Sequence, residues 1–140
     1  MHGDLFTSTA DAIGHGVNCK GVMGAGIAKQ FRARYPDMYQ EYRRICAEGL
    51  LLPGEIHTYT SPGVRVINIA SQEHPGPNAN LYWLTTGVAS ALLYCKMQGL
   101  TTLALPRIGC GIGGLAWDDV YLALDNLTAM TVVRLEVWTL

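Results

Sequence analysis

The stretch from Gly16 to Phe31, Gly-Val-Asn-Cys-Lys-Gly-Val-Met-Gly-Ala-Gly-Ile-Ala-Lys-Gln-Phe, restricts this chain more than any other. An apolar, strand-like run from Ala12 to Val17 enters it, and a helical pattern carried by Ile27, Ala28 and Phe31 leaves it. Between them stand Asn18, Lys20, Val22 and Met23 among the glycines Gly21, Gly24 and Gly26. Glycine lets a backbone reach positive φ and lets its amides approach a ligand with no Cβ in the way. Amides at a helix start, backed by the helix dipole, favour an anion. A second such stretch runs from Pro106 to Trp117 and holds Ile108, Gly109, Cys110, Gly111, Ile112, Gly113, Gly114 and Leu115. It too lies between an apolar strand and a helix. Two glycine loops at two strand-to-helix junctions imply one extended phosphorylated ligand gripped from both sides.

The rest of the chain reads as alternating strands and helices. Strands are expected over Met1–Phe6, Ala12–Asn18, Glu55–Thr60, Val64–Ala70, Thr102–Leu105 and Val132–Thr139, the third and fourth joined as a hairpin. Helices are expected from Ile27, after Gly26, to Arg34, and over Pro36 to Ala47, Asn80 to Gln98 and Trp117 to Met130. This is an α/β domain with a mostly parallel or mixed sheet, in which ligands sit at the carboxyl ends of strands. Both glycine loops occupy that position. A length of 140 residues, 49% of them hydrophobic, predicts a single domain over residues 1–140 with a proper core. The net charge of −1 argues against a broad nucleic-acid-binding face, though not against one nucleotide in a pocket. Cys19, Cys46, Cys95 and Cys110 are widely spaced and show no metal-ligand pattern, so reduced thiols in the cytoplasm are expected, with no metal and no cofactor. No signal peptide is seen, and no apolar run reaches the ~20 residues that a membrane span needs.

Taken in order, Gly3-Asp4-Leu5-Phe6, Asn18-Cys-Lys-Gly-Val-Met-Gly-Ala-Gly-Ile-Ala28 and Pro106-Arg-Ile-Gly-Cys-Gly-Ile-Gly-Gly-Leu115 resemble the macrodomains over nearly the whole chain. The similarity is greatest to the branch of the terminal ADP-ribose protein glycohydrolase, the ADP-ribose 1″-phosphate phosphatases and the antitoxin that removes ADP-ribose from DNA. The resemblance implies a three-layer α/β/α sandwich with a central mixed sheet of about six strands and ADP-ribose, free or attached to a macromolecule, in a cleft over it. It implies that Asp4 meets the adenine amino group, with the Leu5 amide beside it. Gly21, Val22, Met23, Gly24, Gly26 and Ile27 would surround the distal ribose and diphosphate, and Ile108 to Leu115 the other side of the diphosphate. Asn18 would face the distal ribose, and Trp138 would border the adenine end. Asp4 also reads simply as a turn cap. Tyr82, Trp83 and Trp117 read as packing residues, and a monomer is expected.

The departures from the family bear on chemistry. In the glycohydrolase a lysine after the fourth strand forms an adduct with the distal ribose, and the antitoxin that acts on DNA also uses a lysine there. Here Ser71 or Gln72 falls at that position, and no lysine occurs between Lys29 and Lys96. Gln72 cannot form a Schiff base. Gly113 stands where the glycohydrolase has an aspartate. What remains is His15, aligned with a catalytic histidine of yeast-type phosphatases and able to act on a water if it reaches the ribose. As a lone histidine in an apolar strand it reads more readily as a satisfied core or rim residue. Lys20 is a candidate point charge for a 1″-phosphate, or a solvated loop lysine, and His74 is a weaker candidate. The expectation is a hydrolase acting at C1″ of the distal ribose through His15, Asn18 and Lys20. The alternative is a module that binds ADP-ribose without turning it over.

Overall fold

The computed structural model describes all residues from Met1 to Leu140. A 3-10 turn at Leu5–Thr7 precedes β1 (Ala12–Val17), α1 (Gly26–Arg34) and α2 (Pro36–Ala47). There follow β2 (Ile56–Ser61), β3 (Val64–Ala70), α3 (Leu81–Met97), β4 (Thr102–Pro106), α4 (Trp117–Thr128) and β5 (Arg134–Trp138). The sheet order is β2-β3-β1-β4-β5, parallel throughout except for the antiparallel β2–β3 hairpin.

The connections explain the layers. The chain leaves β1 through α1 and α2 to reach β3 on one flank, then returns through α3 to β4 on the other. Right-handed crossovers in opposite directions put their helices on opposite faces of the sheet. Two apolar clusters result. Phe31, Met38 and Tyr42 of the α1–α2 layer meet Ile13, Val17, Val66 and Ala70 on one face. Leu84, Val88, Val120 and Leu124 of the α3–α4 layer meet Ala12, Ile67, Leu103 and Leu105 on the other. The expected three-layer α/β/α sandwich is what forms.

The first expected strand does not. Residues Met1–Phe6 contribute an isolated bridge between His2 and Thr139, and then coil. The Asp4 carboxylate accepts a hydrogen bond from the Phe6 amide at 2.9 Å, which pulls the chain into the 3-10 turn. Five strands therefore stand in place of six. No helix is long and apolar enough to cross a membrane.

Candidate functional site

Because α1–α2 and α3–α4 cross on opposite faces, the loops after β1 and β4 diverge and leave a crevice above the central strands. That crevice is a cleft of about 630 Å³. Its walls are the first glycine loop (Val22, Gly24 to Ala28), the second (Pro106 to Gly113 and Leu115), the segment after β3 (Ser71, Gln72, Pro75, Gly76) and Trp138 to Leu140. Gly16, Val17 and Asn18 form the floor at the end of β1, and Trp117 joins the wall from the start of α4.

The walls are rich in unused hydrogen-bond donors. The amides of Gly24, Ala25 and Gly26 in the first loop have no hydrogen-bond partner in the chain, nor do those of Gly111, Ile112 and Gly113 in the second. These residues are exposed or half-buried and line opposite walls of the cleft, so their unpaired amides are open to an anion entering it. The helix termini agree. α1 starts at Gly26 with no side-chain cap and no acidic residue in its first turn, so its positive end is uncompensated. α4 instead carries Asp118 and Asp119 in its first turn.

The first loop is shaped by Asn18. Its Oδ1 accepts from the amides of Lys20 (3.0 Å) and Val22 (3.3 Å), while its Nδ2 donates to the Val22 carbonyl at 2.8 Å. The Tyr42 hydroxyl donates to the Asn18 carbonyl at 2.6 Å, and the Tyr39 hydroxyl donates to that of Gly21 at 3.2 Å. The Cys19 amide ties the loop to the Glu73 carbonyl. Asn18 thus lines the cleft, but its side chain is spent on the loop.

His15 does not reach the cleft wall. It is fully buried and stacked on Phe31, ring centroids 3.8 Å apart, with its Nε2 2.6 Å from Asn68 Oδ1. Asn68 Nδ2 donates in turn to His57 Nδ1 at 3.0 Å, and His57 Nε2 lies 2.7 Å from Glu41. These directions fix the tautomers: His15 and His57 are both protonated on Nε2. Burial pushes the His15 imidazole down to about 4, against the smaller upward pull of Asn68. His15 is therefore neutral near pH 7, and its expected position over a ribose is not the one observed.

Of the other expected residues, Val22, Gly24, Gly26, Ile27, Ser71, Ile108, Gly109, Cys110, Gly111, Ile112, Gly113 and Leu115 all line the cleft. Lys20 is exposed outside it, Met23 is buried behind the loop, and Gly21 and Gly114 are not part of the wall. Leu5 is buried and Asp4 exposed; both stand beside the Trp138–Leu140 wall, held there by the Gly3 amide donating to the Thr139 carbonyl at 3.0 Å. Gln72 lines the cleft, and its Nε2 donates to the carbonyls of His74 (2.6 Å) and Gly76 (2.9 Å). His74 is exposed beside Glu73 and does not line the cleft. Burial raises the Cys110 thiol and pushes Cys19 up to about 11, so neither is a ready thiolate. No three His, Cys, Asp or Glu side chains gather as a metal site.

Sequence reasoning missed Arg107, Trp117, Pro75 and Gly76. Arg107 lies inside the second motif and its guanidinium covers the Trp117 ring at 4.8 Å, so the neighbouring Arg and Trp in one motif were the available signal. Pro75 and Gly76 line the cleft within a loop that Gln72 and Asn78 tie together, for which no local pattern speaks.

The Macro domain family model matches residues 15–123. The chain is a macrodomain. Its relatives include the DNA ADP-ribosyl glycohydrolases of Mycobacterium tuberculosis, 32% identical over 122 residues, and of Thermus aquaticus, 32% identical over 145. These alignments cover 84% and 99% of this macrodomain but 35% and 39% of those proteins, so the chain spans well under half of their length. Among solved structures, the macrodomain of Mycobacterium tuberculosis DarG superposes with a TM-score of 0.92 at 29% identity, covering 100% of this chain and 98% of that one.

Proposed function

We propose that the cleft binds ADP-ribose and that this macrodomain hydrolyses the bond between C1″ of the distal ribose and an attached group, with ADP-ribosylated DNA as the substrate class. The observation that carries the reading is that each of the two loops walling the cleft has a run of three amides with no partner in the chain. A diphosphate between them would be held by backbone dipoles, with Arg107 the one cationic side chain in the wall. The distal ribose then lies toward Asn18 and Gly24, and the adenine toward Trp138, with the Asp4 carboxylate at the rim. The DNA-directed part rests on the names of the two relatives. Free thiols suit a reducing cytoplasm.

In the reaction a water oxygen bonds to C1″, the bond from C1″ to the acceptor breaks, and the water's proton passes to the acceptor. Arg107 and Cys110 are the titratable side chains in the wall, and neither is a general base. Catalysis therefore draws on positioning and on charge stabilisation by the preorganised amides. Gln72 Oε1 accepts no hydrogen bond within the chain and is the group we assign to holding the water.

The binding-only alternative draws support from the same Gln72, whose amide nitrogen is committed to two carbonyls. The test is release of ADP-ribose from a singly ADP-ribosylated oligonucleotide, run beside release of phosphate from ADP-ribose 1″-phosphate. Release from the oligonucleotide is expected, and it should survive His15→Gln and Cys110→Ser. Tight binding with no release from either compound would leave the binding module.

A further inference from the structure

Behind the first glycine loop lies a second concavity, of about 440 Å³, lined by Met23, Gly24, Lys29, Arg32, Tyr39 and Gln40 among others. Gly24 belongs to both it and the cleft, so one loop residue forms the ridge between them. Lys29 and Arg32 stand one turn apart on α1, and α2 supplies the opposite bank. Arg32 is held over the Tyr39 ring at 4.3 Å, which fixes its guanidinium at the groove. Arg43 follows Gln40 by one turn of α2, and its stem lies against Gly21. Lys20 adds a further cation next to that glycine.

The charge is concentrated here. Residues 20–44 hold six of the ten Lys and Arg (Lys20, Lys29, Arg32, Arg34, Arg43, Arg44) and two of the eleven Asp and Glu (Asp37, Glu41). That segment stands at +4 in a chain whose total is −1, so the whole-chain charge conceals a basic face. Arg34 is paired with Asp4, and Arg44 with Glu48. Lys20, Lys29, Arg32 and Arg43 form no ion pair and are free for an external anion.

We infer that this groove is a docking track for the phosphodiester backbone of a DNA strand, which crosses Gly24 from the cleft and runs between α1 and α2. The inference rests on the function proposed above and adds to it the surface that holds the acceptor. Each phosphate neutralised by Lys or Arg releases condensed counterions, so the grip is strongly salt-dependent. It positions the strand and reads no sequence. A flexible single strand is the form that can turn over the ridge.

The test uses the intact chain and a fluorescently labelled, unmodified 12-nucleotide single-stranded DNA, titrated by anisotropy at low and at physiological salt. Wild type should bind with a marked salt dependence. Lys29→Glu/Arg32→Glu should weaken binding at least tenfold, and the milder Lys29→Gln/Arg32→Gln should reduce the log–log salt slope by about 1.4, the value for two lost contacts to a single strand. Lys96→Glu, in the opposite helix layer, should change little. A parallel titration with ADP-ribose should agree within twofold for all variants, which also reports that they fold. Absent DNA binding by wild type, or equal binding by wild type and both double variants, would overturn the docking track. Absent ADP-ribose binding by wild type would instead overturn the cleft reading.

Discussion

The two glycine loops look alike in sequence and face each other across one cleft, yet they are held by different means. The first is held by side chains: Asn18 folds it back on Lys20 and Val22, and Tyr39 and Tyr42 grip its carbonyls from α2. The second is held by its own backbone, through the Ile108 amide to Pro106 (2.7 Å), Leu115 to Gly109 (2.8 Å) and Cys110 to Arg107 (3.2 Å). Its glycines are also constrained by neighbours. Gly109 has φ +76°, and a Cβ there would come within 2.8 Å of Leu84 Cδ1. At Gly113 a Cβ would meet the Gly109 carbonyl oxygen at 2.7 Å. A second difference lies beneath them. The first loop leads into α1, whose Phe31 rests on the buried His15–Asn68–His57 row, whereas Leu103 and Leu105 of β4 sit in apolar surroundings. Like motifs thus fail in unlike ways. Adding one carbon at Gly109 or Gly113 should break the second loop. The first has positive-φ glycines of its own in Gly21 and Gly26, but it alone should also break on losing polar side-chain atoms.

The largest effect is expected from Gly109→Ala. The positive φ and the clash with Leu84 together should cost about 3 kcal/mol of stability, seen as a lower denaturant midpoint. ADP-ribose affinity should fall with it. A midpoint near that of wild type would mean that the second loop relaxes, and that the contrast between the loops is overstated.

Acid should act next, through His15. Its imidazole is neutral when folded and ordinary when unfolded, so the unfolded chain binds the extra proton first. The contribution is present in full above pH 6.5, declines as the pH falls toward about 4, and is gone below it. The whole span is worth about 3 kcal/mol at 1.36 kcal/mol per unit. Urea unfolding of wild type and His15→Gln from pH 7 to pH 4 measures it as a narrowing gap between the two. Parallel pH curves would remove His15 from the account of acid sensitivity.

A smaller loss should follow Asn18→Ala. It leaves the Lys20 and Val22 amides without their acceptor and should cost about 1–2 kcal/mol of stability. Hydrogen exchange should quicken at Lys20 and Val22 while the second loop stays protected. Equal quickening in both loops would show that they open as one unit.

How much of this was legible follows from how local each feature is. The glycine loops, their strand-to-helix setting and the hairpin depend on residues close in sequence, and the cleft they form could be anticipated. The fate of His15 could not. It is set by Asn68, 53 residues away, in register opposite it across β1 and β3, and by Phe31 closing over it from α1. Met1–Phe6 looked like a strand because its apolar residues cluster, but Asp4 caps a turn there, as its position after Gly3 also permitted. Arg32 and Lys29 were visible as helix residues. That they share a groove with Gly24 depends on how α2 packs beside α1.

The central claim is that backbone amides from both loops hold one diphosphate. It is tested most directly by titrating the ¹⁵N-labelled chain with ADP-ribose and following amide resonances. The amides of Gly24, Ala25 and Gly26 and those of Gly111, Ile112 and Gly113 should shift together along one binding curve. Shifts confined to one loop, or two separate curves, would contradict it.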